Sequence, residues 1–357
     1  MKSLPRFLMH RARELALYAR SFKSGKGRLL FVPSTGKQFA GLLRSYEIAD
    51  ELRKRGWNCL VLPKQLEPAQ RRRVARIYRP DLVILLKSRD DQNYPHFFAG
   101  TPYIYDLDDA DFVDPNLVSR IREDVTGARA VMAGSRYVAN WCREHNPNTH
   151  VVWTGSRPME ANWPAHKDRR QILTWAQSNP INYPREFDFV VSVMETIAKE
   201  RQGLTLRLYG GDASQDGGRS RYLERRGVSV QWMPFMDYDA FVRSLGDTVI
   251  GFSPISIESE FSRGKSFGKI LAYLTARVPV ITSDEVDHSA FFTRESGVVS
   301  NDPEVWVSEA LSLLASDAKR TEMAKKAHDL FMSKLSLDVT TDKIERLVQD
   351  TLPLEHS

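Results

Sequence analysis

Two cysteines in 357 residues, Cys59 and Cys142, are too few for a disulfide-stapled secreted scaffold, and their separation matches no metal-ligand spacing. The chain contains no unbroken apolar run of about 18 residues, so no transmembrane helix is expected. Its first residues lack the apolar core and small-residue cleavage site of a secretory leader, which points to a reducing, cytoplasmic location. Tracts of low complexity and a solenoid repeat are also missing, which excludes linker-like and repeat architectures. A complete phosphate-binding Gly-x-x-x-x-Gly-Lys-Ser/Thr loop is absent, as is a full dinucleotide fingerprint.

What the chain does have is enough apolar residues, 42% of the total, to fill two cores of ordinary size. Its net charge of +6 is unevenly placed: residues 1–28 hold eight of the 51 bases and one of the 45 acids, leaving 43 and 44 for the rest. A nearly neutral body argues against a nucleic-acid-binding surface, where a basic stripe would run over the fold. The leader interleaves Leu4, Phe7, Leu8, Leu15 and Phe22 with its bases at helical spacing. A basic amphipathic helix over residues 1–27 is therefore expected, either meeting an anionic membrane surface through residues 1–26 or packing as a solvated helix.

Beyond the leader, short apolar runs alternate with amphipathic stretches, the pattern of a parallel sheet covered on both faces. Strands are expected at 28–33, 58–62, 81–86, 103–105, 130–132 and 150–153. The turn-rich stretch Gly155 to Pro164 reads as a linker. A second series follows at 172–175, 204–209, 228–232, 248–252 and 278–281, with helices at 186–200, 239–245 and 265–275. The expected division is 28–160, 161–325 and a terminal helical segment at 326–357. The fold class is α/β, with two doubly wound Rossmann-like domains facing across a cleft and a basic helix in front. Ligands of such sheets bind beyond the carboxyl ends of the strands, so the loops there carry the candidates.

Pro33-Ser-Thr-Gly36 is the first such loop, and Gly36 would allow a close backbone approach to an anion or simply serve a turn. Next comes Tyr105-Asp-Leu-Asp-Asp109, followed by Asp111. Four acids in so short a stretch suit sugar hydroxyls or a catalytic base, a helix cap, or a divalent metal. Gly210-Gly211-Asp212 could approach a base or ribose, or form a plain turn. The densest signal is Phe261-Ser-Arg-Gly-Lys-Ser-Phe-Gly-Lys269. Arg263, Lys265 and Lys269 gather at an expected helix start, the wrong sign for the helix dipole, and so imply an anion. A diphosphate on the N–H groups of Ser266, Phe267 and Gly268 would supply it.

The segment Arg263-Gly-Lys-Ser…Lys269…Tyr273…Pro279-Val-Ile resembles the donor-site helix of GT-B retaining glycosyltransferases of the family 4 (group 1) type, in particular a bacterial subgroup. Tyr105-Asp-Leu-Asp-Asp109 is similar to that subgroup's acidic loop, and Ala133-Gly-Ser135 to its strand-end serine. The resemblance implies transfer of a sugar from a nucleotide-diphosphate sugar to a glycan, lipid-linked or other acceptor, with retention and without a metal or other cofactor. It implies that Arg185, Arg263, Lys265, Lys269 and the helix start neutralise the diphosphate. Asp108 or Asp106 would stand beside the reacting centre. Aligned on Pro279-Val-Ile, the two acidic positions of the family pattern fall on Gly264 and Ala272. Lysines cannot replace an acid as acceptors of sugar or ribose hydroxyls, so Glu258 or Glu260 is the expected substitute. Those departures keep two alternatives in view, a catalytically silent nucleotide-sugar-binding partner subunit and a GT-B sugar-nucleotide epimerase.

Overall fold

The computed structural model describes residues 15, 17–18, 24–89, 93–98 and 100–352. The amphipathic leader expected over 1–27 falls mostly outside them. Of its described residues, Leu15, Leu17 and Tyr18 are helical, with Leu15 exposed and Leu17 buried. The chain forms two compact units, one of residues 1–157, 264–266 and 336–357, the other of 158–263 and 267–335.

In the first unit, six parallel strands, β1 (Arg28–Val32), β2 (Asn58–Val61), β3 (Leu82–Leu86), β4 (Tyr103–Leu107), β5 (Ala130–Ala133) and β6 (Thr149–Val151), lie in the order β2-β1-β3-β4-β5-β6. Their runs are apolar throughout because both faces are covered, and successive side chains go to opposite sides. Leu30, Val32, Val83, Leu85, Tyr105 and Val131 enter one core, while Leu29, Phe31, Leu82, Ile84, Ile104 and Met132 enter the other. Helices Pro68–Tyr78, Val118–Gly127 and Arg136–Arg143 supply residues to the first core. Helices Glu47–Lys54 and Leu337–Thr351 supply the second, the latter through Ile344, Leu347 and Val348. The terminal helix is also tied by Trp57 Nε1, which donates to Glu345 Oε1 at 2.7 Å.

Residues 41–55, amphipathic in sequence, do not form one regular α-helix. Residues Leu42–Tyr46 are π-helical before the α-helix Glu47–Lys54 begins. A π turn admits an extra residue that a 3.6-residue periodicity does not register, and such turns recur where function needs a side chain re-aimed. Here the π turn carries Arg44.

The second unit repeats the plan with β7 (Ile172–Trp175), β8 (Thr205–Tyr209), β9 (Ser229–Met233), β10 (Ile250–Ser253), β11 (Val280–Thr282) and β12 (Val298–Val299), in the order β12-β11-β10-β7-β8-β9. Each expected strand forms. β12 was not anticipated, being only two residues long. The helix expected over 265–275 is corrected: a short α turn, Glu260–Arg263, is followed by a 3₁₀ turn, Phe267–Ile270, and the α-helix Leu271–Thr275. Residues 264–266 stay out of helical form because Gly264 O accepts from Ala110 N–H and Ser266 N–H donates to Asp109, both within the first unit.

Strand order reverses between β1 and β3 in the first sheet, and between β7 and β10 in the second. At such a switch point adjacent connections leave in opposite directions, opening a crevice beyond the strand ends where ligands bind.

Candidate functional site

The acidic loop of the first unit is an internal ion network. Asp106, at 1% exposure, faces Arg44, which reaches it from the π turn with Nε to both carboxylate oxygens at 3.0 and 2.9 Å and Nη2 to Oδ1 at 2.5 Å. Arg44 Nη1 continues to Val152 O and to Thr154 Oγ1, and that hydroxyl meets Ser266 Oγ at 3.1 Å. Asp108 and Asp109 share Lys87, whose ammonium lies 2.6 Å from Asp108 Oδ1 and 2.5 Å from Asp109 Oδ2. Arg89 binds Asp111 and lies 3.5 Å from Asp109. Asp109 Oδ1 also accepts the Ser266 backbone N–H at 2.9 Å.

The charges set one another. Burial would raise the Asp109 carboxyl, but the ammoniums of Lys87 and Lys265 and the Arg89 guanidinium hold it well below the usual carboxylate range. Burial would likewise lower Lys87, yet Asp108, Asp109 and Asp111 push it above its ordinary value. The four acids are thus answered by the side-chain cations Arg44, Lys87, Arg89 and Lys265. Among the described residues, no group of three or more His, Cys, Asp or Glu side chains is placed to hold a metal ion. Neither Asp106 nor Asp108 caps a helix, and Ser135, the strand-end serine, caps the helix Arg136–Arg143 by accepting from Val138 N–H.

In the second unit the informative loops meet at the β7–β10 switch point. Lys269 Nζ donates to Gln177 Oε1 at 2.9 Å, just beyond β7. Tyr273, fully buried, donates to the carbonyls of Thr174 and Phe252 at the ends of β7 and β10 and accepts from Ala176 N–H. Arg185, in the first turn of helix Pro184–Glu200, pairs with Glu258 at 3.2 Å, and both are exposed. Its neighbour Glu186 is buried and accepts from Ser256 N–H and, at 2.7 Å, from Ser262 Oγ. Arg263, next to Ser262, donates to Glu285 at 3.3 Å. Glu186 therefore knots the loops that carry Arg185 and Arg263.

The glycines divide by what they meet. Gly210 lies at φ 73°, and a Cβ there would come 1.7 Å from Ser178 O, so the ends of β7 and β8 approach only because it is glycine. At Gly36 a Cβ would meet Gln65 Nε2 at an ordinary 3.8 Å and its φ is not left-handed, so nothing in its packing requires a glycine. Gly264 is dictated by contact: a Cβ would lie 2.1 Å from the Ala110 Cβ. Ala272, the other departure from the acidic pattern, is 2% exposed inside helix Leu271–Thr275, where a carboxylate would be buried.

The residues expected around a diphosphate are thus distributed. Arg185, Arg263 and Lys269 lie in the second unit, Lys269 on Gln177, and Arg185 and Arg263 next in sequence to Glu186 and Ser262, which hydrogen-bond to each other. Phe267 turns its ring into a cluster with His288 and Phe291. Gly268 follows it in the 3₁₀ turn. Lys265 and Ser266 belong to the first unit, beside Asp109. Glu260 begins the short turn Glu260–Arg263. Arg44, Lys87, Arg89 and Glu186 were not anticipated. The one legible hint was Lys87-Ser-Arg89 directly after the apolar run of β3, as the acids directly follow β4.

No protein-family model matches the chain, and no curated protein matches it in sequence. Solved structures do match in fold. A glycosyltransferase from Rickettsia africae aligns over 93% of this chain and all of its own, at 14% identity and a TM-score of 0.67. The Anabaena protein HepE, solved with UDP-glucose, aligns over 91% of this chain and 100% of its own, at 13% identity and a TM-score of 0.67. Sucrose-phosphate synthase from Thermosynechococcus elongatus aligns over 91% and 99%, at 13% identity and a TM-score of 0.66. The fold is that of these proteins, two Rossmann-like domains of the GT-B type.

Proposed function

We propose that the chain is a glycosyltransferase that takes a sugar from a nucleotide-diphosphate donor and passes it to a glycan, lipid-linked or other hydroxyl-bearing acceptor. The observation that carries this reading is a set of cations around the β7–β10 switch point, Lys269 on Gln177 just beyond β7 and Arg185 and Arg263 adjoining the Glu186–Ser262 hydrogen bond. Arg185, Arg263 and Lys269 stand where an α/β sheet receives its ligand. Their contacts include an exposed glutamate, a glutamate at 3.3 Å and a neutral amide, each of which phosphate oxygens can displace. Fold likeness to HepE, a protein solved with UDP-glucose, supports the same donor class.

In this reading the leaving diphosphate is stabilised by those cations as the glycosidic bond breaks, which requires no metal. Asp108 steadies the electron-poor sugar carbon or orients the acceptor hydroxyl, and the sugar departs with its anomeric configuration retained. Residues 1–26 hold the enzyme at an anionic membrane surface on the cytoplasmic side. A thermal-shift panel of nucleoside diphosphates and nucleotide sugars tests the donor class, since a ligand of the native state raises its stability by about 2.7 kcal/mol at a hundred times its dissociation constant. At least one of them should raise the melting temperature, and Lys269→Ala should weaken its binding about tenfold in calorimetry. A flat panel at millimolar ligand would remove the proposal.

A further inference from the structure

We infer that Lys87 is a positioning residue for the proposed transfer: from the end of β3, which flanks the β1–β3 switch point, it holds Asp108, just beyond β4, as an oriented carboxylate. The inference rests on the transferase reading above and names a residue to which sequence reasoning gave no role.

Two features of Lys87 itself single it out. Its backbone is left-handed, with φ 54°, in a residue that is not glycine. Such a conformation persists only where surrounding contacts over-determine it, and it clusters at functional sites. The contacts are present: Lys87 N–H donates to Asp106 O across to β4, while Asn93 Nδ2 donates to Lys87 O, Leu86 O and Pro33 O. Asn93 thereby ties the end of β3 to the end of β1, the two strands that flank the switch point. Lys87 is also only 3% exposed. An ammonium buried to that extent is costly unless it answers specific charges, and a methionine would fill the same space without a charge.

Asp108 depends on this cation more than its neighbours do. Asp106 has the Arg44 fork, Asp111 has Arg89, and Asp109 has Lys87, Arg89 and the Ser266 N–H. Asp108 contacts Lys87 at 2.6 Å, and its Oδ1 has no aligned hydrogen bond besides that ion contact. The backbone behind Asp108 is fixed as well: Gly134 packs so closely that a Cβ there would fall 2.4 Å from Asp108 O. With the main chain held, the side chain's direction is left to Lys87.

A kinetic double-mutant cycle on the full-length protein decides the matter, using whichever nucleotide sugar gives the largest thermal shift and following nucleoside diphosphate release. Lys87→Met should lower kcat about a hundredfold while changing the calorimetric Kd for the nucleoside diphosphate less than about threefold. Lys87→Arg should recover at least a tenth of the wild-type rate, roughly. In an Asp108→Asn background, Lys87→Met should add less than about threefold, because the two act as a unit. Full additivity in that cycle would mean that Lys87 serves only the fold, and a Lys87→Met enzyme within threefold of wild type would overturn the role outright. Absence of any turnover by the wild type, by contrast, would remove the transferase reading itself and this role with it. Should Lys87→Met fail to fold, the Lys87→Arg enzyme carries the test: loss of its rate together with its nucleotide affinity would refute the assignment.

Discussion

At Gly264 a single methyl group is excluded by geometry, since its carbon would sit 2.1 Å from the Ala110 Cβ and 3.1 Å from the Tyr137 ring. Gly264→Ala should therefore cost about 1–3 kcal/mol in denaturant unfolding, the usual penalty of overpacking, and a change below about 0.5 kcal/mol would contradict the contact. The same contact explains why an acid is missing from this position. Asp124 offers a second test. Burial raises its carboxyl to about 6, against the Ser88 hydroxyl that donates to it. Since the folded value lies above the ordinary one, protonation favours the fold: the contribution is complete below about pH 4 and lost as pH rises through 6. Asp124→Asn should remove that loss, so its stability relative to wild type should grow by about 2 kcal/mol between pH 4 and 7. Parallel melting curves across that range would refute the shift.

Among the elements, the helix Leu337–Thr351 shows how a remote segment completes a layer. Leu347 is 5% exposed and packs in the same core as Ile48, Leu52 and Trp57. Leu347→Ala should cost about 2–4 kcal/mol in urea unfolding, whereas substitution of the exposed Met332 should cost little. The strands were legible in the sequence because burial on both faces turns each into an uninterrupted apolar run. The loop networks were not. Arg44 gains its meaning from a π turn that periodicity does not see. Lys87 and Arg89 gain theirs from the pairing of β3 with β4, Leu86 opposite Asp106, which no local pattern encodes. Glu186 reads as an ordinary first-turn acid until Ser256 and Ser262 are placed against it. The helix expected at Lys265 failed for the same reason: side-chain and backbone partners far away in sequence override local propensity.

Over the whole molecule, the acids and bases beyond residue 28 nearly cancel, at 44 and 43. The proposed affinity for anionic lipid therefore rests on the leader. Removing residues 1–14, which spares the buried Leu17, should abolish co-sedimentation with phosphatidylglycerol vesicles and leave binding of nucleoside diphosphate unchanged. Vesicle binding that survives the deletion would locate the contact elsewhere. The fold class was readable at this scale from the repeated alternation of apolar runs and amphipathic stretches. The assignment of residues 264–266 was not, because nothing in their composition marks them off from the residues on either side.

Those three residues carry a practical corollary for recombination. Because the first unit takes its members from three separate stretches of sequence, no single scission liberates a complete copy of it. A chimera joined at Arg157 would inherit the foreign counterpart of Gly264, and any side chain larger than hydrogen there would strike Ala110. Exchange of second units between proteins of this fold should therefore succeed only when the tripeptide travels with its host or the incoming counterpart of Gly264 is itself glycine.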